Sequence, residues 1–173
     1  MRLLLTTLIL ATLAAGPAVA QSATKLEIGT HLGATIAFNG GTEVQLGIPA
    51  PTSFLAGPAL YVSIFATPSF MIEPQIAFNW NSIADDILLN AVVQLGYLMS
   101  PTSPSSAYFT VHGGWTTIYG EAESGLVGGG VGMRFVIKDR LAVRTEARYR
   151  RWTCSGCDLN ELGLQVGLGT ALP

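Results

Sequence analysis

Residues Leu141–Arg150 read Leu-Ala-Val-Arg-Thr-Glu-Ala-Arg-Tyr-Arg, a run in which apolar and charged side chains take turns. Leu141, Val143, Thr145, Ala147 and Tyr149 share one face of a strand; Arg144, Glu146, Arg148 and Arg150 share the other. A small soluble sandwich does not bury a row of full charges of both signs. The packed polar lumen of a membrane barrel can. The same alternation recurs along the chain, and no other feature constrains the fold as strongly.

It predicts eight strands, at 25–38, 56–66, 70–81, 87–99, 107–119, 126–137, 141–150 and 161–172. Connections 67–69 and 138–140 are tight and 100–106 is intermediate, and all three fall on one rim. The other rim takes 39–55, 82–86, 120–125 and 153–160, mostly longer, the asymmetry expected of outer-membrane barrels. Residues 43–48 also alternate and are expected to extend strand pairing beyond the membrane. Pro74, inside the third strand, donates no ladder bond, so a local bulge is expected there.

The first twenty residues read as a signal peptide: Arg2, an apolar stretch from Leu3 to Ala15, and the small-residue site Ala18-Val-Ala20 before Gln21. Residues 21–173 are expected to form one exported domain. Without Arg2 the chain has eight basic and eleven acidic residues, a formal charge of −3. Charged residues make up only 12% of the sequence, too few for an ordinary soluble surface, where about a quarter is typical. No segment after residue 20 suits a spanning helix, since the apolar part of the charge-free run, Ile87–Met99, is too short. A closed barrel is the remaining way for such a chain to sit in lipid.

A soluble lipocalin-like barrel would also alternate, with its apolar face inward. Glycine separates the two. Gly29, Gly33, Gly57, Gly96, Gly114, Gly128, Gly130, Gly132, Gly163, Gly167 and Gly169 all fall on the polar face by parity. Glycine weakens strands, so its concentration there marks a crowded interior of limited volume. Phe38, Phe70, Trp80, Tyr97, Phe109, Tyr119 and Phe135 lie near strand ends on the apolar face, as interfacial girdles require. Polar side chains are expected inside.

The signal peptide, Phe70-Met-Ile-Glu-Pro-Gln-Ile-Ala-Phe, Gly128-Gly-Gly-Val-Gly-Met-Arg-Phe, Arg144-Thr-Glu-Ala-Arg-Tyr and the final strand together resemble the small outer-membrane β-barrels. That group includes the transmembrane domain of outer-membrane protein A. The resemblance spans 25–172 and implies an eight-stranded antiparallel up-and-down barrel, integral to a bacterial outer membrane. It further implies that assembly machinery reads the C-terminal strand. Gln165, Gly167 and Leu172 match the family's terminal pattern; Thr170 stands where an aromatic is expected.

The candidate site is a lumen charge cluster of Lys25, Glu27, Glu73, Arg134, Arg144, Glu146, Arg148 and Arg150, with Glu161 as a further inward carboxylate. Glu27, Glu73, Glu146 and Glu161 are expected to pair with Lys25, Arg134, Arg144, Arg148 and Arg150, with Glu146 serving Arg144 and Arg148 in its own row. Eight strands enclose a lumen only just wide enough for side chains to fill, so a closed polar core is preferred to an ion path. His31 and His112 also map inward. They are the only histidines, and with Ser63 and Glu27 as conceivable partners they could serve a lipid-modifying enzyme, although nothing in the sequence brings them together. No catalytic residues, metal site or cofactor are expected. Cys154 and Cys157 are expected to form a disulfide in an oxidising compartment. Asp85, Asp86, Glu121, Glu123 and Asp158 make three outer loops acidic, which disfavours nucleic acid. The sequence therefore predicts a monomeric, non-enzymatic barrel whose partners are outer-membrane lipid and the assembly machinery. It would serve envelope integrity or surface contact; the alternatives are a narrow channel, a lipid-modifying enzyme and a soluble carrier.

Overall fold

The computed structural model describes residues 25–39, 43–47, 59–81, 86–118, 122–138, 140–154 and 157–172. The signal-peptide assignment at 1–20 and Gly57 lie outside them. The described residues form nine strands: β1 (Leu26–Asn39), β2 (Glu43–Gly47), β3 (Ala59–Phe65), β4 (Phe70–Asn81), β5 (Asp86–Leu98), β6 (Ser105–Ile118), β7 (Ala122–Ile137), β8 (Leu141–Cys154) and β9 (Cys157–Leu172). From β3 to β9 each strand pairs antiparallel with the next, and β1 pairs with both β3 and β9, which closes the barrel.

The short strand β2 does not add a ninth stave. It pairs with the far half of β1, Thr35–Asn39, while β3 pairs with the near half, Leu26–His31. Both run antiparallel to β1 on the same side of it, so β2 and β3 are two halves of one split strand and the barrel is eight-stranded. The intervening residues 48–58 contain Pro49, Pro51 and Pro58, none of which can donate to a ladder. The expected extension of pairing at 43–48 is thus present over Glu43–Gly47.

Two sequence expectations are corrected. There is no bulge at Pro74. Met71 and Ile72 pair with Phe65 and Ile64, and Gln75 and Ile76 pair with Tyr61 and Leu60, at one constant register. No residue is inserted; the β3–β4 ladder simply skips the Pro74 position, while β4–β5 pairing continues through Pro74 and Val93. The expected loops at 120–125 and 153–160 are largely strand. Pairing runs out to Ile118 with Ala122, and to Cys154 with Cys157. A tilted strand needs only about 9–11 residues to cross the hydrocarbon, so β7 and β9, 16 residues each, carry their ladder past it.

The sides are inverted relative to a soluble protein. Leu60, Val131 and Leu164 are 63%, 64% and 66% exposed, whereas Glu27, Glu73 and Gln94 are fully buried. Phe70, Tyr97 and Phe109 are consecutive register partners across β4, β5 and β6 on the exposed face. The Tyr97 and Phe109 rings stack at 5.4 Å, a segment of girdle at the rim that carries the tight turns.

Candidate functional site: the charged lumen

Glycine makes room for the lumen's large side chains. Tyr61 is in register with Gly29, which in turn faces Gly169. A Cβ at Gly29 would come within 2.6 Å of the Tyr61 ring, and one at Gly169 within 3.1 Å of it. Tyr108 lies across Gly132, Met71 across Gly96 and His31 across Gly167 in the same way. The inward glycines are therefore recesses into which neighbouring strands' side chains fold.

In the half of the lumen nearest Lys25 and Leu172, two carboxylates and two guanidiniums interlock. Arg144 donates from Nη1 to Glu73 Oε2 and from Nη2 to Ser63 Oγ at 2.7 Å, and its Nη2 is 2.7 Å from Glu27 Oε1. Arg134 Nε donates to Glu27 Oε2 at 2.9 Å, and Tyr61 Oη donates to Glu27 Oε1 at 2.9 Å. Glu73 also accepts from Ser63, from Gln75 at 2.7 Å and from His31 Nε2 at 3.3 Å. Aromatic faces complete the packing. The Arg144 guanidinium sits 4.9 Å from the Tyr61 ring centroid, Arg134 sits 5.2 Å from that of Phe65, and His31 stacks on Tyr61 at 4.3 Å. Desolvating charges is costly unless each is paired and its remaining hydrogen-bond capacity is used. Here each carboxylate meets both a cation and neutral donors.

Beyond this lattice, Glu146 accepts from Tyr108 at 3.0 Å, Gln94 at 3.3 Å and Thr110 at 3.3 Å. Arg148 donates to Gln165 and, at 3.3 Å, to Glu161, which also accepts from Trp152 Nε1 at 3.2 Å. Arg150 donates to His112 at 3.4 Å. Trp152, Val92 and Leu126 form an apolar cluster on the side of the lumen away from Lys25 and Leu172.

Of the residues singled out from sequence, Glu27, Glu73, Arg134, Arg144, Glu146, Arg148, Arg150 and Glu161 all point into the lumen. Lys25 does not join them: it precedes β1 and is exposed at the rim. The expected pairing along the Arg144–Glu146–Arg148 row is also corrected. Arg144 pairs with Glu27 and Glu73, Arg148 with Glu161, and Glu146 with neutral donors. Residues two apart on a strand point the same way about 7 Å apart, so each reaches across the lumen or to the next strand instead. Parity placed Tyr61, Gln75, Gln94, Tyr108 and Thr110 on the polar face without marking them as members of the lattice. Cys154 and Cys157 are register partners, and their side chains lie outside the described residues.

Ser63, Glu73 and His31 do come together, though not as a nucleophilic triad. Ser63 and His31 each bond to the carboxylate, so the histidine does not stand between serine and acid as a general base must. Among the described residues no three His, Cys, Asp or Glu side chains converge as metal ligands.

A closed antiparallel barrel with a polar filled lumen and an apolar outer wall is an integral membrane barrel. Comparison with known proteins agrees. No protein-family model and no curated sequence matches the chain. Among solved structures, Neisserial surface protein A superimposes with a TM-score of 0.56 at 12% identity, covering 85% of this chain and 97% of that one. Ail, the attachment invasion locus protein of Yersinia pestis, gives 0.54 at 11% identity, covering 87% and 100%. The outer-membrane protein OprG of Pseudomonas aeruginosa gives 0.56 at 11% identity, covering 90% and 99%. The chain shares the fold of these small outer-membrane barrels, and its apolar outer wall and buried polar lumen are those of an integral membrane β-barrel.

Proposed function

We propose that this is a non-enzymatic barrel with a sealed lumen, and that it serves envelope integrity or surface contact through the strand extensions and loops on its outer side. The observation that carries this reading is the ion pair between Arg144 and Glu73. In the circular strand order β1-β3-β4-β5-β6-β7-β8-β9, β8 and β4 are diametrically opposed, so this pair spans the barrel's full width. Its neighbours Glu27, Arg134, Tyr61 and Ser63 are buried and bonded in the same lattice. The tight-turn rim with Lys25 and Leu172 faces the periplasm, and β2 and the far ends of β6–β9 face outward.

The channel reading would need a continuous polar path, and the Arg144 lattice argues against one. Cells lacking the protein should lose resistance to detergents and to bulky hydrophobic antibiotics. A variant with residues 48–58, 82–85 and 119–121 replaced by Gly-Ser segments should restore that resistance if the barrel is a structural element. If restoration needs the native segments, surface contact is the role; unchanged resistance in the deletion strain would remove the integrity reading.

A further inference from the structure

All three exposed cations on the tight-turn rim fall in one sector. Lys138 and Arg140 flank the β7–β8 turn, and Lys25 enters β1. Backbone bonds tie these segments together: Ala171 N donates to Arg140 O at 2.6 Å, and Lys25 N donates to Leu172 O at 3.0 Å. The three cations thus sit on the adjoining ends of β7, β8, β9 and β1, with neighbouring strands about 4.8 Å apart. The other two turns of this rim, 66–69 and 99–104, contain no charged residue.

Two further observations point to a ligand for this sector. Lys138 has φ of 50°, a left-handed conformation that glycine or asparagine adopts readily and that lysine enters only at a cost. Turn geometry alone would not select lysine there. Immediately along the strands stand the exposed apolar side chains of Ile137, Leu141 and Leu172, 45%, 46% and 39% exposed, so the cations lie at the edge of the lipid-facing band. The opposite strand ends carry Glu43, Asp86, Glu123 and Asp158. Asp139 shares the β7–β8 turn, and its placement lies outside the described residues; counting it still leaves the sector with a surplus of two positive charges.

We propose that Lys25, Lys138 and Arg140 form a binding surface for the phosphodiester headgroups of anionic phospholipids in the adjacent leaflet. A basic segment beside an anionic leaflet gains roughly 1 kcal/mol per cation, about fivefold in affinity each, so three cations give a clear headgroup preference. This surface rests on the proposed orientation, which sets it against the phospholipid leaflet on the inner side of the outer membrane.

Native mass spectrometry of the folded barrel, released from micelles with equal phosphatidylglycerol and phosphatidylethanolamine, tests this directly. The wild type should retain phosphatidylglycerol severalfold over phosphatidylethanolamine. The triple variant Lys25→Gln, Lys138→Gln, Arg140→Gln should retain the two equally while keeping its heat-dependent gel shift. Lys138→Gly separates binding from folding, because it relieves the left-handed backbone and removes one cation: stability should rise as the preference falls. Equal retention by the wild type, or an undiminished preference in the triple variant, overturns the proposal. Labelling of Cys154 and Cys157 after reduction on intact cells, with an impermeant thiol reagent, reports orientation separately.

Discussion

Arg144 and Glu73 stand on walls four strands apart, and their side chains meet in the middle of the lumen. Both are buried to within 1% of full enclosure, and Arg144 holds a second carboxylate, Glu27, in the same grasp. Removing one partner leaves the other buried without compensation, which costs more than the intact pair contributes. Glu73→Gln should therefore destabilise the barrel by about 3–5 kcal/mol. Glu146→Gln should cost only about 1 kcal/mol, since its donors are neutral. Urea midpoints at constant slope in a liposome refolding assay would rank the two. The reverse order would mean that charge pairing within the β8 row, not across the lumen, holds the core.

The glycine recesses make a sharper test of packing. A methyl group at Gly169 would press on the Tyr61 ring and on the Ile28 carbonyl, 3.0 Å away. Gly169→Ala should cost about 1–3 kcal/mol through overpacking. At Gly113 the nearest atom to a new Cβ is the Leu126 carbonyl oxygen at 3.7 Å, an ordinary contact. Gly113→Ala should be neutral or stabilising by up to about 1 kcal/mol, because glycine weakens a strand. Thermal or urea unfolding of the two single variants distinguishes them, and equal losses would contradict a volume-limited lumen.

The outer wall should tolerate charge poorly. Leu164 is 66% exposed near the middle of β9, where lipid surrounds it. Leu164→Arg should cost about 2–4 kcal/mol at the bilayer midplane, measured by the same refolding assay. Unchanged stability would mean that this face meets water.

Faces were legible from sequence, while pairings were not. Alternation in 70–81 and 141–150 assigned each side chain to a side, and glycine on the polar side showed which side was inside. Which carboxylate Arg144 meets depends on register and shear around the closed ring, and neither leaves a mark in a single strand. The exposed position of Lys25 follows from its standing one residue before the ladder begins, a boundary that periodicity does not resolve. The pairing of 122–125 and 157–160 was hidden because Glu, Ser, Gly, Asp and Asn there read as turn residues, although Thr153 Oγ1 donates to Gly125 O at 3.1 Å to hold the hairpins together.

Cys154 and Cys157 face each other in register at the tip of the β8–β9 hairpin. In an oxidising compartment they should be bonded, and alkylation of freshly isolated membranes should label both only after reduction. Because the bond closes a very short loop, Cys154→Ser with Cys157→Ser should cost no more than about 2 kcal/mol. Two free thiols before reduction would refute the bond.

Ion conductance in planar bilayers tests the sealed lumen most directly. Wild-type barrel should give no resolved current steps, and Arg144→Ala, by opening the section between Glu27 and Glu73, should produce a leak. Stable wild-type conductance that Arg144→Ala leaves unchanged or abolishes would show instead that ions pass through the lumen and that Arg144 does not close it.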